Sequence, residues 1–192
     1  MDALMATRTK ESDNDEAKLA RQAVTDIDAF AELYRRHLDR VYRYHVAHTG
    51  NWKDAEDLTS QTFIAALEGI RSFRGAGPFA AWLMGIASRK RLLFFRGKKP
   101  DVPLDEASHF PSSDPPTDKA AQQRLQLASV ARALRKISPE RAEALILTYF
   151  GGLSHAETGR VLNKTEAAVK MLVSRGLQDL RERTSLALEV DV

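Results

Sequence analysis

Residues 154–183 read SHAETGRVLNKTEAAVKMLVSRGLQDLRER. Ser154 followed by Glu157 is a capping box, in which each side chain satisfies the other's backbone N–H at a helix start. Asn163-Lys164 reads as a tight turn, and Thr165 as the N-cap of a second helix. Val169, Leu172, Val173, Leu177 and Leu180 recur at three and four residues, giving that helix one apolar face. A helix of about eight residues, a turn of two or three and a longer helix has helix-turn-helix spacing. The outward face of the second helix would offer Thr165, Glu166, Ala168, Lys170, Met171, Ser174 and Arg175. Lys170 and Arg175 suit phosphates or guanine edges, and Glu166 can accept from a cytosine amine. Arg160, Lys164, Arg181 and Arg183 widen the basic surface. Periodicity alone serves an ordinary helical hairpin with solvated charges equally well.

Working outward, Gly151-Gly152 stops a helix that Ser138 caps and Pro139 opens. Leu125, Leu127, Val130, Ala133, Leu134 and Ile137 mark another helix, from about Asp118. Residues 119–184 therefore form one helical domain, followed by a tail, 185–192. Before it, residues 98–118 hold Pro100, Pro103, Pro111, Pro115 and Pro116, five of the chain's seven prolines. Such a segment cannot continue a helix and reads as an extended linker. Residues 26–97 form a second helical domain. Its first helix follows Asp26, carries Phe30, Leu33, Tyr34, His37, Val41, Tyr44 and His45 on one face, and stops at Gly50. Its second is expected from about Asp54 to Arg71, and its third follows Pro78 and ends near Gly97. Most of residues 1–25 read as a flexible arm, with a helix as the alternative at its end. No sustained period-2 run appears. The fold expected is all-α: two small helical domains joined by a Pro-rich linker.

The chain has 192 residues, 29 Lys and Arg against 26 Asp and Glu, and no cysteine. That excludes a disulfide framework, a thiolate metal site and a cysteine nucleophile, and fits a reducing compartment. No run approaches the roughly 18 apolar residues of a membrane span. The polar N-terminus is not a secretory signal. A cytoplasmic protein without membrane insertion is expected.

Two further clusters carry chemistry. Phe73, Phe79, Trp82, Phe94 and Phe95 are interleaved with Arg74, Arg89, Lys90, Arg91, Arg96, Lys98 and Lys99, with no acidic residue from Phe79 to Lys99. Rings stack on bases and cations hold phosphates, so the combination suits a single strand. The glycines of Gly75-Ala76-Gly77 would let backbone approach an extruded base. Trp82 and Phe79, on spacing alone, are better read as core. Asp54-Ala55-Glu56-Asp57-Leu58-Thr59 is an acidic, partly apolar ridge that suits a protein partner, although dipole complementation explains any single carboxylate there. His45 and His48 stand three apart without a third ligand, so no metal site is expected. Gly75-Ala76-Gly77 lacks the Lys-Ser/Thr tail of a phosphate loop. No catalytic residue and no cofactor are expected.

These motifs, taken together, resemble the ECF-type (extracytoplasmic-function) RNA polymerase sigma factors, which keep only sigma regions 2 and 4. Asp28 to Tyr34, Asp54 to Phe63, and Phe73-Arg74-Gly75 through Ala81-Trp82-Leu83 resemble region 2. The Pro139 helix, Tyr149 to Glu157 and Ala168-Val169-Lys170 resemble region 4. The match covers about residues 26–184. It implies a non-enzymatic initiation factor that binds core RNA polymerase and promoter DNA and promotes melting. Asp54, Glu56, Asp57, Leu58, Thr59, Gln61 and Phe63 would contact the polymerase clamp. Phe73, Arg74, Gly75, Ala76, Gly77 and Pro78 would accept a flipped base of the −10 element, with Arg89, Lys90, Arg91 and Arg96 holding its strands. The helix from Thr165 would read the −35 element, and the linker would thread into polymerase channels. An anti-sigma protein would cover the polymerase-binding surfaces. The alternatives are a stand-alone DNA-binding regulator, or a helical adaptor or metal-dependent enzyme using His45 and His48.

Overall fold

The computed structural model describes residues 14–75, 77–97 and 127–190, with side chains to residue 182. The regular elements among the described residues are all helices. They are α1 (14–22), α2 (Ile27–Thr49), α3 (Trp52–Gly69) with a 3-10 turn at Ile70–Ser72, α4 (Phe79–Gly97), α5 (127–134), α6 (Pro139–Tyr149), α7 (His155–Leu162) and α8 (Glu166–Val190). The expected linker, 98–118, lies outside the described residues, as does Ala76.

The helix ends follow local chemistry. Asp26 caps α2, its Oδ1 accepting from the N–H groups of Asp28 at 2.9 Å and Ala29 at 3.4 Å. Gly50 ends α2 in the left-handed region, φ 63°, where glycine carries no Cβ penalty. Ser138 caps α6, accepting from the Arg141 N–H at 3.4 Å. The start of α3 lies earlier than Asp54. Asn51 is the cap, its side chain accepting from the Asp54 N–H at 3.1 Å, so Trp52 and Lys53 belong to the first turn. The far end tightens into a 3-10 turn after Gly69 instead of running to Arg71.

The end of the N-terminal arm is helical, and residues 1–13 lie outside the described residues. Residues 14–22 are helical, Ala20 and Ala23 are buried, and Glu16 Oε1 lies 3.3 Å from His37 Nε2 of α2. Ala17, Ala20 and Ala23 form a face of small residues at helical spacing, which gives little hydropathy contrast. The C-terminal tail is also shorter than expected, because α8 continues to Val190.

Buried side chains from both halves join in one continuous core. Leu33, Val41, Tyr44, Leu83 and Met84 belong to it on the N-terminal side, and Leu145, Ile146, Leu147, Val169 and Val173 on the C-terminal side. Helix α2 packs on α3, α4 and α6, while α4 also meets α7.

The α7–α8 corner is built as the sequence predicts. The Ser154 N–H donates to Glu157 Oε2 at 2.7 Å, and the Glu157 N–H donates to Ser154 Oγ at 3.2 Å. Asn163 takes φ 55°, and the Lys164 N–H donates to the Gly159 carbonyl at 2.8 Å. A Cβ on Gly159 would stand 2.6 Å from the Lys164 carbonyl oxygen, a backbone atom that cannot swing aside. Gly159→Ala is therefore expected to lower stability by about 1–3 kcal/mol. A urea-denaturation midpoint equal to that of the unmodified protein would show that the corner relaxes freely.

Candidate nucleic-acid interface

Helix α8 turns Val169 and Val173 inward and leaves its opposite face open. Thr165, Glu166, Lys170, Met171, Ser174 and Arg175 are exposed, and Ala168 is half-buried. The Thr165 Oγ1 caps the helix by accepting from the Ala168 N–H at 3.2 Å. Glu166 and Lys170 pair at 2.7 Å, one turn apart, which lowers the Glu166 pKa. Met171 is 51% exposed, an apolar side chain among polar neighbours on the outer face.

The 73–78 loop stands on an aromatic cluster. Phe73 is buried and meets Phe79 edge-on, with ring centroids 5.4 Å apart, and Trp82 at 5.6 Å. Phe73 thus anchors the loop from below, while Arg74 and Gly75 are exposed and Gly77 and Pro78 half-buried. Gly75 has φ 68°, left-handed backbone that favours glycine. Beside the loop a cleft of about 270 Å³ runs between α3 and α4, lined by Ser72, Trp82, Ile86, Arg89, Lys90 and Leu93 among others. Its apolar wall and two cations have the chemistry of a base-and-phosphate groove. Arg89 and Arg96 are exposed and Lys90 is half-buried.

The ridge on α3 divides by face. Leu58, Thr59 and Phe63 point into the core, and the Thr59 hydroxyl donates to the Ala55 carbonyl at 2.6 Å. Glu56, Asp57 and Gln61 are exposed, and Asp54 is half-buried. Ile64, 58% exposed, and Leu67 continue the outer face and were missed by the sequence reading. An apolar residue one turn along from Ser60 and Gln61 was the available signal.

Glu143 was also missed. This α6 carboxylate is buried against the other half of the chain. Its Oε1 accepts from the Tyr44 hydroxyl at 2.8 Å and the Ser88 hydroxyl at 3.1 Å. Its Oε2 lies 3.0 Å from His48 Nε2 and 3.0 Å from Arg91 Nη2. Burial works against the carboxylate charge, yet the His48 hydrogen bond, the His48 and Arg91 charges and the Tyr44 hydroxyl prevail and take Glu143 down to about 2. Burial and the Glu143 charge raise Tyr44 well above its ordinary value, so its hydroxyl keeps the proton that it donates. Arg91 is therefore not free for a strand in this arrangement.

Of the two histidines singled out in the sequence, His45 is buried and His48 nearly so, each beside protein groups. Burial lowers His48 despite its bond to Glu143. His45 Nε2 sits 3.0 Å from the Thr62 hydroxyl, and burial, then the neighbouring His48 charge, takes its pKa to about 3. Among the described residues no group of three His, Cys, Asp or Glu could hold a metal ion, and no helix is long and apolar enough to cross a membrane.

Two family models match the two halves. Residues 33–100 match Sigma-70 region 2, and residues 127–180 match Sigma-70, region 4. The ECF RNA polymerase sigma factor BldN of Streptomyces coelicolor is 36% identical over 188 residues, spanning 90% of this chain and 68% of its own. The ECF RNA polymerase sigma factor SigW of Bacillus subtilis is 30% identical over 168 residues, spanning 82% and 90%. Among solved structures, CnrH in complex with the cytosolic domain of CnrY superposes with a TM-score of 0.66 at 27% identity, covering 92% of this chain and 99% of that one.

The buried groups set a pH response. His45 and His48 have folded pKa values below the ordinary 6.5, so their stabilisation is complete above 6.5 and is lost as pH falls towards the folded values. Glu143 adds a further loss below 4.5, the ordinary carboxylate value, as pH falls towards about 2. Thermal stability is expected to decline as pH falls from about 6.5 to about 4.5, by up to about 1.4 kcal/mol per pH unit for each histidine. A melting temperature flat across that range would contradict the burial of both rings.

Proposed function

The chain belongs to the ECF RNA polymerase sigma factors, and on that footing we propose that its two basic surfaces engage the two elements of a promoter while α3 docks on core RNA polymerase. The observation that carries this reading is the pairing, on one chain, of an open helix-turn-helix face with an aromatic, cation-lined cleft beside a glycine loop. Duplex reading and strand capture need different chemistry, and each surface has one of the two.

Region 4, within 119–184, presents Thr165, Glu166, Ala168, Lys170, Met171, Ser174 and Arg175 to a major groove at the −35 element. Lys170 and Arg175 supply the cations, and Met171 supplies an apolar contact for a thymine methyl. Region 2, within 26–97, takes a −10 base beside Phe73, Arg74, Gly75, Ala76, Gly77 and Pro78. Arg89, Lys90, Arg91 and Arg96 hold the strand. Stacking of about 1–3 kcal/mol per base offsets the cost of unpairing, so melting is driven by differential binding and no bond is made or broken by this protein. The polymerase surface is the outer face of α3: Asp54, Glu56, Asp57 and Gln61, with Ile64 and Leu67 added. Leu58, Thr59 and Phe63 act there as the packing that holds the face in place. The 98–118 linker confines the second reader near the first and raises its effective concentration. The protein works in the cytoplasm, where polymerase and promoter are. Control by an anti-sigma protein is supported by the family and by CnrH having been solved with the cytosolic domain of CnrY.

In vitro transcription with core polymerase tests the whole. Lys170→Ala with Arg175→Ala is expected to reduce initiation about 10-fold or more, at ~1–3 kcal/mol for each lost contact. Unchanged footprinting over the −35 element would move the reading face elsewhere. Asp57→Lys with Gln61→Ala is expected to weaken capture of core polymerase in a pull-down while leaving the circular-dichroism spectrum intact. Retention equal to that of the unmodified chain would take the docking role away from this face.

A further inference from the structure

We propose that Glu143 is an internal latch that holds the free chain closed, with region 4 covering the strand-capturing surface of region 2. The inference rests on the sigma-factor reading above. Among the described residues, the halves share an apolar core and, beside it, four polar crossings. At the centre, Glu143 of α6 gathers Tyr44 and His48 from α2 and Ser88 and Arg91 from α4. At one flank, Arg160 of α7 stands over Gly77: a Cβ there would lie 2.8 Å from its guanidinium. At the others, Arg135 lies against Gly50, and Arg40 of α2 against Gly152.

These contacts fall on the promoter surface itself. Arg91 belongs to the basic run assigned to the −10 strand, and its guanidinium is spent on Glu143. Gly77 belongs to the loop assigned to the flipped base, and Arg160 occupies the space above it. The closed chain therefore lacks one strand contact and has its loop obstructed, although every residue of the surface is present.

The chemistry of the seam makes it separable. Breaking a buried ion pair by deleting one partner is costly, because the other charge stays buried. Pulling both partners apart into water instead restores hydration to each. A groove of about 270 Å³ runs beside the latch, lined by Arg91, Pro139, Glu140, Glu143, Leu162 and Lys164. It gives an incoming anion a route to Arg91. A promoter phosphate has the charge and the geometry to replace the Glu143 carboxylate there. Opening and strand capture become one exchange, carboxylate for phosphate on the same guanidinium.

The chain has no cysteine, so a pair can be introduced cleanly. A Cβ on Gly50 would lie 3.5 Å from the Ala131 Cβ, within the ~3.5–4.5 Å span of a disulfide, and would displace only the end of the flexible Arg135 side chain, 2.5 Å away. Gly50→Cys with Ala131→Cys, oxidised, is expected to support at least about 10-fold less transcription with core polymerase than the same protein reduced, with the single variants insensitive to oxidant. Equal transcription by the two forms overturns the inhibitory role. Glu143→Gln keeps the side-chain shape and removes the charge. It is expected to raise the radius of gyration of the free chain in small-angle scattering and to tighten its binding to a single-stranded −10 oligonucleotide several-fold. An unchanged profile and affinity, with helix content retained, overturns the latch. If the unmodified chain fails to transcribe with core polymerase, the promoter reading fails instead, and the scattering comparison still decides the latch.

Discussion

A buried carboxylate is the constraint on which the arrangement of this protein depends. Glu143 sits on α6 with its charge retained, and a charge in that position is tolerated only with donors on every side. Tyr44 and Ser88 donate to one of its oxygens, and His48 and Arg91 stand 3.0 Å from the other as ion-pair partners. They come from two helices of the other half, so α2, α4 and α6 hold one register or the carboxylate is stranded. Apolar packing around it would accept several small slips. The polar centre accepts none, and it fixes the register in which the apolar side chains of both halves meet in one core.

The same register sets what the surfaces can present. With α6 fixed against α2 and α4, α8 is held by its inner face of Val169 and Val173, and its outer face remains open. The aromatic platform of Phe73, Phe79 and Trp82 lies beneath the glycine loop, close to α7. Charge follows structure here. The unbroken basic run on α4 is not one solvated face: Arg89 and Arg96 look outward, Lys90 borders a cleft, and Arg91 turns to Glu143.

Much of this was legible in the sequence, because much of it is local. The capping box at Ser154, the stop at Gly50, the Ser138-Pro139 start and the helix-turn-helix spacing depend on residues within a few positions of one another. What was hidden is non-local or low in contrast. Glu143 looks like any helical glutamate until Ser88 and Tyr44, 55 and 99 residues away in sequence, arrive beside it. The helix at 14–22 rests on alanines, which barely raise an apolar signal. On α3 the acidic ridge was readable as a unit, and helical spacing alone puts Leu58 and Phe63 on its buried stripe, while the burial of Thr59 was not legible. Leu58, Thr59 and Phe63 support from within the face that Asp57, Gln61 and Ile64 present.

The polar centre of the seam, set within the apolar core that the halves share, also agrees with what a two-element promoter factor has to do. Permanent interfaces are apolar, because nothing is gained by exposing them again. An interface that must part is better made of groups that water accepts: a carboxylate, a guanidinium, an imidazole and two hydroxyls. The cost of holding them together dry and the gain on wetting them nearly cancel, which leaves the balance to small additional contacts. Under the latch proposed above, core polymerase on one side and DNA phosphates on the other would offer such contacts only to the open form. A ligand shifts an equilibrium by no more than its difference in affinity for the two states. The closer the seam lies to balance, the less of the promoter's binding energy is spent on opening it.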